Sequence, residues 1–455
     1  MMLFDLNRYS INDFKHETRQ LLTLALPMML GQIATIAIGV VDTIMAGAAG
    51  KADLSAVALG SSVFVTVFIT FMGIMAALNP MIAQLFGANK ITEVGKTGQQ
   101  GIWFGIIFGI IGMILMLALI VPLKNYLHMD DYIEEQFGQY LCYVALAMPP
   151  ALVYQALSAY ASSLNRPKPI MWINWAALII NIPLNWLFIF KFNMGGSGAG
   201  LATLLIFCFN SLALFCHIWK TPYFQPFGLT QTFRLPELTA QKNIWKLGWA
   251  IGLSYFLEVS LFSFIVWLIA DLGEDFVAAQ QIVGNLNSMV YMIPQAIGSA
   301  ATVRVGQSIG RRQFARARYI SGVSLLSGWI LALCTFTLLL TLNQALVGLY
   351  TQDASVLHIG ASLLIFVGFF QLFDFTQCIA SYALRGYKIT RVPMIIHAIA
   401  FWLLGLFPGY ALAYWADMGI YGFWAALILS LASAASALVW YLNKRSLWAM
   451  KNRAL

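Results

Sequence analysis

The stretch Ile251–Phe264, IGLSYFLEVSLFSF, sets a lone glutamate, Glu258, in the middle of a run apolar enough to cross a bilayer. The run extends from about Trp245 to about Ala270. At ~1.5 Å of rise per residue, Glu258 then lies roughly 18 to 20 Å from either end, near the membrane midplane. An ionised carboxylate at that depth costs at least a few kcal/mol, and such residues face a bundle interior, a cavity or a partner. A fold that retains Glu258 must supply company for it inside the membrane.

The rest of the chain is of the same kind. Of its 455 residues, 60% are hydrophobic and only 10% charged, whereas a soluble protein of this size carries about a quarter charged residues. This is the composition of an integral membrane protein. Twelve apolar runs of spanning length, the first at 21–46 and the last at 419–443, lack period-two alternation and therefore read as helices. With both termini in the cytoplasm, only Lys51, Lys124 and Lys191 of the 26 Lys and Arg residues fall outside, which fixes the orientation. The net charge of +8 then lies on the inner face, where anionic membrane lipid is the expected partner and nucleic acid is not. The five cysteines sit in apolar segments without CxxC spacing, so neither disulfides nor a metal centre is expected. No cleaved signal peptide is read at the N-terminus. HExxH, Walker and GxSxG motifs are absent, so the chain offers nothing for an ATP-driven pump or a metalloenzyme, and no cofactor is expected.

An internal repeat orders the twelve helices. A shift of 223 residues lays Gly50 on Gly273, Ala56 on Ala279, Gln84 on Gln307 and Gly87 on Gly310. The offset slips by a few residues later, where YASSLNRPK meets SYALRGYK. The resulting plan is an amphipathic lead-in (1–20), an N-lobe of six helices (21–219), a basic cytoplasmic linker (220–244), a C-lobe of six helices (245–443) and a cytoplasmic tail (444–455). Six helices is an even number, so both halves start inside and are related by an axis along the membrane normal, as in two-lobed transporters with the substrate path between the lobes.

Three acids remain within the spans: Asp42, Glu258 and Asp374. Glu258 and Asp374 belong to the same half and would repel each other if both were ionised. A shared proton or a bound monovalent cation resolves that repulsion. Tyr291, in NSMVYMIPQAIG, is mid-helix with Pro294 loosening a backbone carbonyl nearby. It either completes a cation site or packs with its hydroxyl on a helix backbone. Asp42, in GVVDTIMAG, opposes the helix dipole and is a poor choice for structure alone. Asn181 and Asn185 share a helix face around Pro183 and suit either a polar cluster with Asp42 or ordinary interhelical hydrogen bonding. Aromatics at 14% and 19 methionines provide an adaptable, cation-tolerant surface wherever they line a cleft.

Over essentially its whole length the sequence resembles the multidrug and toxic compound extrusion (MATE) transporters of the NorM type, the neisserial members in particular. The resemblance rests on LALPMMLGQ, VVDTIMAG, ALNPMIAQLFGA, SSLNRPK, NIPLN, IGLSYFLE, YMIPQAIGSAATVRVGQSIGRR, DFTQCIASYALRGYK and GIYGFWAAL. It implies an all-α, V-shaped pair of six-helix lobes in the bacterial inner membrane. The implied activity is antiport, not enzyme catalysis: export of cationic amphiphilic drugs and dyes coupled to Na⁺ or H⁺, by a protein expected to be a monomer. It places Glu258 and Asp374 in a second-lobe cation site, with Tyr291 matching a neighbouring ligand in the neisserial branch. Another NorM branch has a tyrosine where Phe370 stands, so the cage around the ion differs here. Asp42, Asn181 and Asn185 match the first-lobe polar cluster. Relatives carry paired acids in the outer loop where this chain has Gln352 and Asp353, one charge fewer to meet a drug. Two rivals remain: a lipid-linked oligosaccharide flippase, against which the acidic outer side argues, and an intramembrane enzyme, for which no nucleophile or metal constellation exists.

Overall fold

The computed structural model describes residues 10–127, 129–231 and 234–452. Among them there is no strand, and twelve long helices follow one another. They are α1 (Ile11–Ala49), α2 (Lys51–Gly87), α3 (Ile91–Tyr126), α4 (Asp131–Ser163), α5 (Lys168–Lys191), α6 (Ser197–Lys220), α7 (Leu238–Ile269), α8 (Glu274–Gly310), α9 (Phe314–Thr341), α10 (Ala354–Gly386), α11 (Arg391–Tyr414) and α12 (Ile420–Asn452). Eleven are both long and apolar enough to span a membrane. The exception, α8, is 37 residues long and contains the run expected at 276–303, but Gln280, Gln281, Asn285, Asn287 and Gln295 dilute its apolarity. A spanning helix of that composition has to turn its polar side to protein.

Residues 1–9 of the expected lead-in, Asp5 and Arg8 among them, lie outside the described residues, as does Arg453. Residues 11–20 are the first turns of α1 and not a separate surface segment. Ser10 and Asp13 cap this start reciprocally, the Ser10 amide donating to Asp13 at 3.1 Å and the Asp13 amide to the Ser10 hydroxyl at 3.2 Å. Glu17, one turn on, is fully buried and accepts from Arg304 Nε at 2.9 Å and from Arg316 at 2.6 Å. Two guanidinium partners offset the desolvation that a buried carboxylate otherwise suffers.

Packing divides the chain into two units, and the divisions fall inside helices. One unit is Pro27–Gly252; the other joins the chain up to Leu26 with the chain from Leu253 onward. Sequence places the boundary in the loop 220–244, yet that loop and the inner half of α7 are built onto the first unit. The Trp103 indole donates to the Arg234 carbonyl at 2.8 Å, the Gln100 carboxamide accepts the Glu237 amide at 2.8 Å, and Lys96 pairs with Glu237 at 2.9 Å. On α7, a Cβ at Gly248 would stand 2.4 Å from the Ile74 carbonyl oxygen, so only glycine lets the backbones approach that closely.

The repeat survives in the backbone with more fidelity than the sequence suggests. Left-handed residues recur at Asn89 and Arg312, and again at Asn165 and Lys388, each pair 223 apart; Asn193 and Asp417 are 224 apart. The slip is thus a single residue. Both fifth helices of the repeat also contain a π-helical stretch, Trp186–Lys191 in α5 and Ile399–Leu406 in α11. Each unit has its own apolar core: Val57, Phe64, Phe137, Leu141 and Met148 in one, Leu261, Leu364, Phe370, Phe423 and Trp424 in the other.

Candidate functional site

In the unit that begins at Leu253, α7, α8 and α10 turn polar stripes towards one another. Glu258 on α7 keeps some accessible surface, and its carboxylate accepts a hydrogen bond from the Tyr291 hydroxyl on α8. The Cys378 thiol on α10 faces the same hydroxyl at 3.9 Å. Tyr291 therefore serves the carboxylate and not a helix backbone. Asp374 lies behind, 3% exposed, and accepts from Gln377 Nε2 at 2.9 Å. Its charge acts on Glu258. The oxygen of the Gln377 amide is buried without a donor. One turn outward, Gln371 donates to Asn287 at 2.7 Å. Local geometry holds α7 in place here: the π-helical stretch of α11 presents Trp402, whose indole donates to the carbonyl of Leu257, the residue before Glu258, at 3.2 Å. Phe370 is 3% exposed and packs edge-on against Trp424, so no hydroxyl enters the site from that position.

The first unit carries a different cluster. Asp42 accepts from Asn181 at 3.0 Å and Asn185 at 2.6 Å on one oxygen, and from the Thr203 hydroxyl at 3.0 Å on the other. All three predicted residues meet, and Thr203 joins them from α6. Asp353 does not belong to this group. It is exposed, lies in the other unit and caps α10, accepting from the amides of Ser355 at 2.9 Å and Val356 at 3.0 Å. Gln352 beside it is exposed as well.

Sequence reasoning missed several neighbours. Arg385, counted there among the inner-loop cations, is 4% exposed, donates to the Tyr255 hydroxyl at 2.9 Å and lies over the Tyr382 ring at 3.9 Å. The available signal was its spacing, since Asp374, Cys378, Tyr382 and Arg385 fall on one helical face. His397 on α11 is buried with neither ring nitrogen partnered, its ring stacked on Phe401. No group of three His, Cys, Asp or Glu residues that could hold a metal ion occurs among the described residues. An ion at Glu258 and Asp374 is therefore completed by neutral oxygens, and the Tyr291 phenol and the undonated Gln377 oxygen are hard donors of the right type.

A protein-family model described as MatE matches the chain twice, over residues 27–187 and 250–411. The chain belongs to the MatE family. The two matches begin 223 residues apart, at Pro27 and Ala250, so the family unit is the repeat itself. Among curated relatives of this MATE chain, "Probable multidrug resistance protein NorM" of Neisseria meningitidis serogroup A is 61% identical over 97% of both chains. The protein of the same name in Chromobacterium violaceum is 44% identical over 98% of this chain and 97% of its own. Among solved structures, MATE transporter NorM-NG in complex with a drug substrate and a monobody is 57% identical, covers 94% of both chains and superposes with a TM-score of 0.80. The eukaryotic MATE transporter AtDTX14, at 20% identity over 97% of this chain and 99% of its own, shares the fold with a TM-score of 0.88. The chain is a multi-pass membrane transporter of the MATE, NorM type.

Proposed function

We propose that this MATE transporter exports cationic, amphiphilic drugs and dyes across the bacterial inner membrane in exchange for Na⁺, by alternating access. The observation that carries the reading is the pairing of Glu258 and Asp374 in one unit, with the Tyr291 phenol on Glu258 and the Gln377 amide on Asp374. Two carboxylates and neutral oxygens suit a hard monovalent ion. Glu258 retains accessible surface while Asp374 is buried, so the ion meets Glu258 first. Ion binding drives transport only if the ion favours one conformation over the other, and the drug the opposite one. The Asp42 cluster, held by three neutral donors, provides the other unit with an anionic group for a cationic substrate. The drug complex of NorM-NG supports the substrate class. Both termini lie in the cytoplasm, lipid surrounds the helices, and the monomer is the working form.

One Na⁺ exchanged for one monocation moves no net charge, so the chemical gradient, ~1.4 kcal/mol per tenfold ratio, supplies the drive. The test is ethidium efflux from proteoliposomes under an imposed Na⁺ gradient at fixed, symmetric pH, with wild type beside Glu258→Gln. Efflux that follows Na⁺ in wild type and is lost in the variant is the expected outcome. Efflux that ignores Na⁺ and follows an imposed pH gradient makes H⁺ the coupling ion, and full Na⁺-driven efflux by Glu258→Gln removes the site assignment.

A further inference from the structure

Arg385 is a buried cation whose described hydrogen bond goes to a neutral phenol. It lies on the same face of α10 as Asp374, Cys378 and Tyr382. Its guanidinium donates to the Tyr255 hydroxyl at 2.9 Å and rests 3.9 Å from the centre of the Tyr382 ring. Tyr255 stands one turn inward of Glu258 on α7 and is hydrogen-bonded to Tyr382. Tyr382 in turn is fixed by α8, where Thr302 donates to its carbonyl at 2.7 Å. Gly298 leaves room for the ring, because a Cβ there would come within 2.8 Å of it. Among the described residues Arg385 makes no ion pair. The clamp thus holds a permanent positive charge, since a guanidinium does not deprotonate in proteins. That charge acts on Glu258. Away from their terminal turns, the parts of α7, α8 and α10 in this unit contain three charged residues of the Asp, Glu, Lys and Arg types: Glu258, Asp374 and Arg385. With both carboxylates ionised the site carries a net charge of −1.

We infer that Arg385 sets the valence of the cation site: its fixed charge leaves one negative charge, which a single monovalent ion neutralises and a divalent ion overloads. Arg385 is a specificity-determining residue and not a ligand, because its guanidinium offers no acceptor to a cation. The inference rests on the Na⁺ reading of Glu258 and Asp374 given above. Arg385→Gln raises the site's charge to −2 and makes it a better match for Ca²⁺. Glu258→Gln alone leaves it neutral. The double variant Glu258→Gln with Arg385→Gln returns it to −1 with one carboxylate fewer.

The experiment is equilibrium binding of ²²Na⁺ to the purified full-length transporter in detergent at about pH 8, where an ordinary imidazole such as that of His397 is neutral, with Ca²⁺ as competitor. Wild type is expected to bind Na⁺ and to resist millimolar Ca²⁺. In Arg385→Gln, Ca²⁺ displaces Na⁺ at a concentration lower by about tenfold or more, as an uncompensated charge in a weakly screened interior requires. Arg385→Lys, which keeps the charge while losing the planar stack, retains the wild-type preference for the monovalent ion. Should Arg385→Gln not fold, the second pair decides: the double variant binds Na⁺ at least about tenfold more tightly than Glu258→Gln alone. Unchanged Ca²⁺ competition in a folded Arg385→Gln, or a double variant no better than Glu258→Gln, overturns the inference and leaves the cation site standing. Wild type that binds no Na⁺, or Glu258→Gln that binds it normally, overturns both.

Discussion

The two units share a backbone plan and keep different chemistry on it. Moved by the 223 residues that relate Asn89 to Arg312, Glu258 falls on Thr35, Tyr291 on Phe68, Asp374 on Ala151 and Arg385 on Ser162, while Asp42 falls on Ile265. No charged residue of either site has a charged counterpart in the other. What duplicates is what sterics enforce: the left-handed turns, the glycines at close approaches and the π-helical break in the fifth helix. The charges are single copies. One unit holds two carboxylates near a fixed guanidinium, and the other holds one carboxylate wrapped by two amides and a hydroxyl. The difference points to a division of labour, with the coupling ion on one unit and a hydrogen-bonded anionic group on the other.

The largest effect expected from this contrast is on ion binding. Asp374→Asn removes one of two ion-facing charges and should weaken ²²Na⁺ binding by about a hundredfold, the scale of a lost buried ionic partner. Asp42→Asn should leave Na⁺ affinity within about threefold while cutting Na⁺-driven ethidium efflux. If Asp42→Asn weakens Na⁺ binding as much as Asp374→Asn does, the two sites are one coupled system and the division of labour fails.

Stability should rank the two carboxylates in the opposite order. Asp42→Ala leaves the buried donors of Asn181, Asn185 and Thr203 without their acceptor, at a cost of about 2 to 3 kcal/mol. Asp42→Asn keeps an oxygen and costs about 1 kcal/mol or less. Asp374→Ala strands a single described donor, Gln377, and should cost about 1 kcal/mol. Denaturant or thermal unfolding in detergent gives the order directly. A more severe loss from Asp374→Ala than from Asp42→Ala would mean that Asp374 holds structure that the hydrogen bonds around it do not account for.

Much of this arrangement was legible in the sequence because intramembrane charge is so costly that each instance stands out. Asp42, Glu258 and Asp374 announced themselves against apolar runs, and helical spacing brought Asn181 and Asn185 to one face. The membrane class and the twelve helices followed from the length of the runs. Three things were hidden for physical reasons. Arg385 lies at the end of a span, where a basic residue is the commonest loop signal, and only the packing of Tyr255 and Tyr382 shows that it points inward. Thr203 is one hydroxyl in a long apolar helix, a residue type that usually bonds its own backbone. The unit boundaries fall at Leu26 and Gly252, inside continuous helices, because packing and not chain connectivity decides which unit a half-helix joins. Asp353 errs the other way: a charge in a loop reads as substrate-facing when its bonds are those of a helix cap.

The smallest expected effect concerns the one place where the repeat keeps polar residues in both copies. Asn174 and His397 are 223 apart, as are Tyr154 and Gln377. In the first unit the pair is satisfied: Tyr154 donates to Asn174 at 2.5 Å, and Asn174 donates to the Gly31 carbonyl at 3.1 Å. In the second, both ring nitrogens of His397 and the Gln377 oxygen are buried without partners. An orphaned buried group costs about 1 to 3 kcal/mol, so three of them at the repeat positions of a satisfied pair are either a liability or a place for water. His397→Asn decides between these. An amide in place of the imidazole regains the donor geometry of Asn174 and, in a dry site, should stabilise the transporter by up to about 1 kcal/mol in detergent unfolding. If the variant is instead destabilised, water already satisfies the imidazole. The two units then differ by a hydrated space on the Gln377 side of the carboxylate pair, the side from which an ion bound at Asp374 has to be solvated as it leaves.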